Sequence, residues 1–504
     1  MTSRASELLV ELDRASREPL RRQLEARLRA AIEAGSLPDG TRLPSSRSLA
    51  EQLAVSRGVV VDAYEQLIAQ GFLDSRPRQV PVVRAGQARR PAPLRTTARY
   101  RFVLSPNAPD LSLFPRRLWL QATADVMRDL PSAELDYPAD PHGPAEFRTV
   151  LAAYLSRVRR VRADPGNLIL TLAFLHSLDL LLRGLARRGV RRVAVENPSV
   201  PEQVAIARAH GMEVRPIPVD QAGLVVADLP GSDTQAVIVT PAHQFPLGAV
   251  LSPERRRALA AWARDRDALI IENDYAAEFR YDGPPIGAVQ GLAPDHTVYL
   301  GTTSKTLAPA VRLGWIAAPA RVTSALADTP LAGSGGFTGL TGHVFARLLL
   351  SGRYERHVQR CRRDYRHRRD ALAGGLSARL PQLQVLGAAG GLHLTLQLPP
   401  GSDTDQIATT ARAAGIDIRP LSSYAHAPIR QEPGLVIGYG RLPLPSVPSV
   451  IAALTRAIQR AMPNQLEHGE HPPRGVVPDR ARLAVDPGQP EGSAQGPAPA
   501  EQGG

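Results

Sequence analysis

The sequence predicts two folded units: an N-terminal winged helix-turn-helix and a larger α/β domain with a largely parallel sheet and a small α+β lobe at its end. Three observations predict this. At 504 residues the chain is too long for one core. Three helical stripes and two short strand-like runs fit within the first 84 residues. Beyond them, buried strand-like runs alternate with helical patterns to about residue 462.

The first helix is read from PLRRQLEARLRAAIEA, residues 19–34, with apolar positions Leu20, Leu24, Leu28, Ala31 and Ile32. Pro19 opens it and Gly35 closes it. After the turn SLPDGTRLPSS, Ser45 or Ser46 can cap a second short helix, RSLAEQLA. A third follows Val55 and Ser56, turns Val60, Ala63, Tyr64, Leu67 and Ile68 inward, and ends at Gly71. FLDSRPRQVPVV then reads as two strands around a turn, a wing. The predicted unit spans 15–84. Residues 85–100, AGQARRPAPLRTTARY, read as a linker.

The clearest strands of the large domain, expected over 101–462, are NLILTL, RRVAVE, QAVIVTP, ALIIEND and TVYLGTTS, with helices such as SPERRRALAAWARDR between them. GLHLTLQL, a helical pattern over 403–414 and LVIGYG form the terminal lobe. Residues 463–504 are rich in Pro, Gly, Glu and Gln and are expected to be disordered.

Composition narrows the function classes. No run of about 18 uncharged apolar residues suggests a membrane span, and the N-terminus lacks the apolar core of a signal peptide. The single cysteine, Cys361, cannot form an intrachain disulfide, so a cytoplasmic protein is expected. No metal-ligand cluster is predicted. The net charge of +13 suits a polyanion. Residues 1–90 contribute 15 Arg against 11 acidic groups, and much of the remaining excess lies in RYERHVQRCRRDYRHRRD, read as a solvated helix face. Of 61 basic residues 60 are Arg; Lys305 is the sole lysine. A guanidinium cannot lose its proton near neutrality, so this lysine marks a position where a deprotonatable amine is needed.

In a winged helix-turn-helix the third helix enters the major groove of double-stranded DNA with its N-terminal residues nearest the bases. Here those are Ser56 and Arg57, and Arg57 can reach guanine in bidentate fashion. Arg47 could contact a base or phosphate, and Ser45 or Ser46 a phosphate. LPDGTRLPSSRSLAEQLAVSRGVVVDAYEQLIAQGFL resembles the GntR group of bacterial regulators, which implies that Arg47 and Arg57 touch DNA. Wings of that group usually carry a Gly-Ser-Gly turn; here it reads Arg78-Gln79-Val80, which puts minor-groove contacts in doubt.

In the large domain, TPAHQFPLG, IIENDYAAEFRYDG and YLGTTSKTLAPAVRLGW surround Lys305 with groups suited to an aldehyde cofactor held as a Schiff base. Thr302, Ser304 and Arg312 could hold a phosphate, and Tyr275 a phenolic oxygen. With LSPNAPDLSLFPRRLW, DPHGPAEFRTVLAAYL and GYGRLP, these strings resemble the MocR group, in which a GntR-type head is joined to a fold-type I aminotransferase domain. The resemblance spans about 15–462. It implies pyridoxal phosphate on Lys305, a head-to-tail homodimer, and regulation by a small effector, possibly an amino compound, rather than turnover.

Three departures from the group's pattern concern the cofactor. The usual Thr-Ser-Gly-Ala-Gln-Gln phosphate cup reads Thr171-Leu172-Ala173-Phe174-Leu175-His176, so phosphate binding should suffer. The ring-stacking aromatic of the Gly-Tyr-Pro-Gly turn is lost; the turn reads Ser199-Val200-Pro201-Glu202. The acid expected at the pyridine nitrogen is Asn273, and strand alternation should turn Asp274 to the opposite side. An amide at Asn273 can hydrogen-bond the ring nitrogen but cannot stabilise a pyridinium as a carboxylate does, which weakens the electron sink. Two further readings remain open: an aminotransferase with an accessory head, and a regulator whose large domain is cofactor-free. Arg441 is a candidate for an effector carboxylate.

Overall fold

The computed structural model describes residues 12–16, 18–75, 79–84, 100–136, 140–229, 233–327 and 339–462. The Arg78 position of the wing turn, nearly all of the expected linker, and the expected disordered tail lie outside these residues. Two compact units divide between Ala98 and Arg99.

In the first unit α1 (Leu20–Glu33), α2 (Ser46–Leu53) and α3 (Arg57–Ala69) precede the two-stranded wing β1 (Leu73–Asp74) and β2 (Val82–Val83). The wing strands are antiparallel, pairing Leu73 with Val83. Leu24, Leu28, Leu49, Val60, Leu67 and Val83 form one core. Tyr64 is buried there, its hydroxyl donating to the Pro44 carbonyl at 3.0 Å. The Ser45 hydroxyl accepts from Ser48 N and caps α2; the Ser56 hydroxyl accepts from Val59 N and caps α3. Between the caps, α2 ends at Ala54 in the left-handed region, φ 51°. That reversal sets the turn between the two helices.

The second unit begins with β3 (Phe102–Val103), α4 (Arg116–Asp129) and α5 (Ala145–Arg159). Next come β4 (Leu168–Thr171), α6 (Phe174–Arg187), β5 (Arg192–Asn197), α7 (Pro201–Ala209), β6 (Glu213–Asp220), β7 (Gly223–Leu224), β8 (Ala236–Val239), α8 (Pro253–Asp265), β9 (Leu269–Asp274), β10 (Thr297–Thr302) and β11 (Gly314–Ala317). The strands form one sheet of order β4-β11-β10-β9-β8-β5-β6-β7. The run β10-β9-β8-β5-β6 is parallel. β11 opposes both neighbours, and β7 opposes β6. Apolar layers cover both faces, as in doubly wound sheets.

α9 (Ala320–Ala327), α10 (Gly339–Leu350) and the long α11 (Arg353–Arg379) lead to the small lobe: β12 (Val385–Leu386), β13 (His393–Gln397), α12 (Thr404–Ala413), β14 (Ile416–Asp417), β15 (Arg419–Pro420), β16 (Gly434–Gly438) and α13 (Val447–Ala461). Its sheet runs β12-β13-β16-β15. The lobe also recruits β3, which pairs in parallel with β14. Sequence patterning confined the lobe to the C-terminal end; two residues of β3 carry too little periodicity to reveal that its start lies near residue 102.

One buried ion pair ties the end of the sheet to the helix layer. Arg159 Nε donates to Asp274 Oδ2 at 2.7 Å, and the Tyr299 hydroxyl donates to the same oxygen at 2.6 Å. The Arg159 and Asp274 side chains are only 5% and 2% exposed. Burial opposes the Arg159 charge, but Asp274 outweighs it and holds the guanidinium above its ordinary value. Removing one partner strands a buried charge. Arg159→Met should lower stability by about 3–5 kcal/mol in denaturant titration, and Arg159→Met with Asp274→Leu should recover most of that. Equal losses in single and double variants would refute this role.

Candidate functional site

At the head, Arg57 and Arg47 are exposed at the N-termini of α3 and α2. Arg57 Nε reaches the Ser46 hydroxyl at 3.4 Å, and Arg47 Nε lies 3.5 Å from Glu51, in a pair 83% and 72% exposed. So open a pair is weak and can exchange Glu51 for a phosphate. Ser45 and Ser56 are exposed too; each hydroxyl accepts one helix-cap hydrogen bond and keeps its proton to donate outward to a phosphate.

In the large unit the predicted cofactor residues gather at the C-terminal ends of β9 and β10, the edge where open α/β sheets bind ligands. β9 alternates as the sequence implied. Glu272 and Asp274 face one side, where the Glu272 carboxylate accepts from Val289 N and Gln290 N. Asn273 and Tyr275 face the other. Both are buried, and neither Asn273 Oδ1 nor the Tyr275 hydroxyl has a hydrogen-bond partner among the described residues. The Asn107 amide comes near the Tyr275 hydroxyl without closing a bond of normal geometry. Burial, then Glu196, pushes the Tyr275 phenol well up.

Lys305 follows β10. Burial pushes its amine down to about 8, with Arg441 as the second cause. Arg441 is itself exposed, its Nε donating to the Pro109 carbonyl at 3.1 Å. Thr302 Oγ1 and Ser304 Oγ are 2.9 Å apart, and Ser304 N donates to Thr302 Oγ1. Arg312 is exposed and lies close enough to lower the His176 imidazole, after burial.

The departures have structural forms. Leu172 N donates to His176 Nδ1 at 3.2 Å, so the imidazole consumes an amide of the cup. The amides of Phe174, Leu175 and His176, in the first turn of α6, have no intrahelical acceptor. Ala173 precedes α6 at φ 80° and ψ 178°, a conformation nearly reserved for glycine. A Cβ on Gly314 would lie 2.7 Å from the Ala173 Cα, so the start of β11 closes tightly on this turn. Val200 packs with Phe245, Tyr275 and Tyr424, which supply aromatic surface beside the position that lost its own ring.

Sequence reasoning assigned no part to several groups at the site. His243 and His393 have ring centroids 5.2 Å apart; burial drives His243 well down and His393 to about 4, so both are neutral near pH 7. His393 reaches Asn107 Oδ1 at 3.0 Å and the Pro246 carbonyl at 2.9 Å. Glu196 is buried and raised to about 7 by burial, against hydrogen bonds from Thr240. His243 and Asn107 stand within TPAHQFPLG and LSPNAPD, so those strings were the available signal. Among the described residues no group of three or more His, Cys, Asp or Glu side chains could hold a metal, and no helix is long and apolar enough to cross a membrane.

Comparison with known proteins agrees with this architecture. Residues 20–83 match the bacterial regulatory proteins, gntR family, and 104–431 match aminotransferase class I and II. The chain is 34% identical to the HTH-type pyridoxine biosynthesis transcriptional regulator PdxR of Corynebacterium glutamicum, over 86% of this chain and 95% of that one. It is 30% identical to the probable rhizopine catabolism regulatory protein MocR of Rhizobium meliloti, over 85% and 91%. An archaeal alanine:glyoxylate aminotransferase superposes with a TM-score of 0.65 at 24% identity, covering 71% of this chain and 91% of that structure. Fold and head define a DNA-binding transcription regulator with an aminotransferase-like domain. The chain belongs to the MocR group of GntR-type regulators.

The strain at Ala173 is testable. Ala173→Gly should raise stability by about 1 kcal/mol, read as a higher thermal midpoint, because relief of the positive φ exceeds the added chain entropy. An unchanged or lower midpoint would show that the alanine sits there without strain.

Proposed function

We propose that the large unit holds pyridoxal phosphate on Lys305 and that an amino compound arriving there alters how the paired heads grip DNA. The observation that carries this reading is the chain's sole lysine, its amine brought down to about 8, following the strand next to β9, at whose end Asn273 Oδ1 and the Tyr275 hydroxyl are buried without a hydrogen-bond partner among the described residues. Buried polar groups left unpaired are costly, and a ligand with complementary atoms removes that cost.

The residues fit the group at each of its ends. The Lys305 amine is the nucleophile for an aldehyde. The Tyr275 hydroxyl can donate to the phenolic oxygen, and the Asn273 amide, whose Oδ1 is the atom left unpartnered, can hydrogen-bond the ring nitrogen. Thr302, Ser304, Arg312 and the first-turn amides of α6 offer donors and charge for the phosphate. When bound, the cofactor supplies an aldehyde that captures amines reversibly. Arg441, whose charge is felt at Lys305, is suited to an effector carboxylate.

Asn273 favours sensing over turnover. An amide can hydrogen-bond the ring nitrogen but cannot stabilise its protonated form as a carboxylate does, so an electron sink is weak. Regulation also needs two heads joined. Leu120, Met127, Leu135, Leu340 and Leu350 are exposed in the layer of α4 and α10, which supports a homodimer through the large unit. A cytoplasmic location follows from a DNA partner. Effector capture could shift the DNA equilibrium only by binding one arrangement of the dimer better than the other.

Titration with pyridoxal phosphate should give a saturable visible absorbance band that Lys305→Ala abolishes. Its rate of appearance should rise with pH and level off above about 8, as the amine loses its proton. A wild-type protein without the band would favour a cofactor-free large unit. A rate flat from pH 6.5 to 9 would contradict the lowered amine.

A further inference from the structure

We infer that the outer face of α11 is a second DNA-contacting surface, one that grips phosphates without reading sequence. This rests on the DNA-binding reading of the head and extends it to the large unit.

The helix holds the arginine-rich segment RYERHVQRCRRDYRHRRD, and the fold divides its cations in two. One set ties the helix to the body. Arg362 Nε donates to the Glu278 carbonyl at 2.7 Å, and Arg368 Nη2 pairs with Asp110 at 2.6 Å. Arg369 Nη1 pairs with Asp282 at 2.8 Å, and Arg366 donates to the Tyr281 carbonyl. These arginines serve packing.

The other set is Arg356, Arg360 and Arg363, with His367 in line beside them, all exposed. Their spacing of i, i+4, i+7 and i+11 confines them to one stripe, within about 60° of the helix circumference and about 16 Å long. Among the described residues none of the four has a carboxylate partner: Arg356 reaches only the Ser351 carbonyl, and Arg360 only His357 Nδ1. The acids nearest in sequence are mostly engaged elsewhere, Glu355 with Arg157 and Asp370 with Arg369. Asp364 flanks the stripe on one side. A preference for arginine in coding explains why these are not lysines. It does not explain why Glu355 and Asp370 are paired off the stripe, leaving Asp364 as the acid beside it.

A straight row of three guanidiniums and an imidazole suits a regularly charged rod. A duplex presents about nine phosphate charges over about 16 Å of its axis. Duplex DNA is also the polyanion to which this chain's own head is directed. Phosphate contacts of this kind add affinity and salt dependence, not base preference.

The test measures full-length protein on duplex DNA from its own upstream region, plotting log Kobs against log salt. Arg356→Gln/Arg360→Gln/Arg363→Gln should make the slope shallower by about 2–3 and weaken binding roughly tenfold or more near 0.15 M salt, with dimer mass and thermal midpoint unchanged. Arg379→Gln/Arg456→Gln/Arg460→Gln, exposed positions off the stripe, remove the same charge and should leave the slope within about 0.5 of wild type. Arg57→Ala should instead erase preference for that duplex over unrelated DNA. An unchanged slope in the stripe variant, an equal loss in the control, or a change in oligomeric mass would overturn the proposal. Wild-type protein that binds no duplex would remove the head's reading and this one together, whereas a lost stripe effect alone leaves the head intact.

Discussion

The candidate site depends on one buried charge pair. Asp274 is fixed on one face of its strand by Arg159 and Tyr299, 2.7 and 2.6 Å away. Since side chains alternate along a strand, this commitment sends Asn273 and Tyr275 to the other face. A one-residue slip would exchange the two sets and put a carboxylate where the amide stands. The pair is not fully satisfied: Arg159 Nη2 and Asp274 Oδ1 keep no partner among the described residues. Its value therefore lies in specifying register and orientation as much as in stability.

On that frame the two halves of the molecule divide chemical labour. Arginine serves wherever a permanent positive charge suffices, from the helix N-termini of the head to the tethers of α11. The amine of Lys305 stands apart because its proton is removable, and burial has brought that removal within reach of neutral pH. Around it, His243, His393 and Tyr275 are held neutral by the same burial.

Much of this was legible in the sequence because it is local. Strand alternation around Asn273, the helix stripes of the head and the solitary lysine all follow from periodicity or composition. The capping choice between Ser45 and Ser46 was not decidable from spacing, and the fold settles on Ser45. What could not be read is what the tertiary fold assembles. Asn107 meets His393 across 286 positions, Arg159 meets Asp274 across 115, and Tyr424 meets Phe245 edge to face from a different lobe. The arginine-rich helix was read as a solvated face, and its contacts show in addition that Arg362, Arg366, Arg368 and Arg369 tie it to the body. Only the contacts of α11 separate tethers from the free stripe, because both sets are the same residue type.

The central claim is that chemistry at one amine is felt by the heads on DNA. It is tested most directly by the affinity of the full-length protein for its own upstream duplex, measured at fixed salt with and without saturating pyridoxal phosphate, in wild type and Lys305→Ala. The cofactor should change wild-type affinity at least severalfold and leave the variant unmoved. Equal affinities under all four conditions, or an equal shift in both proteins, would contradict the claim.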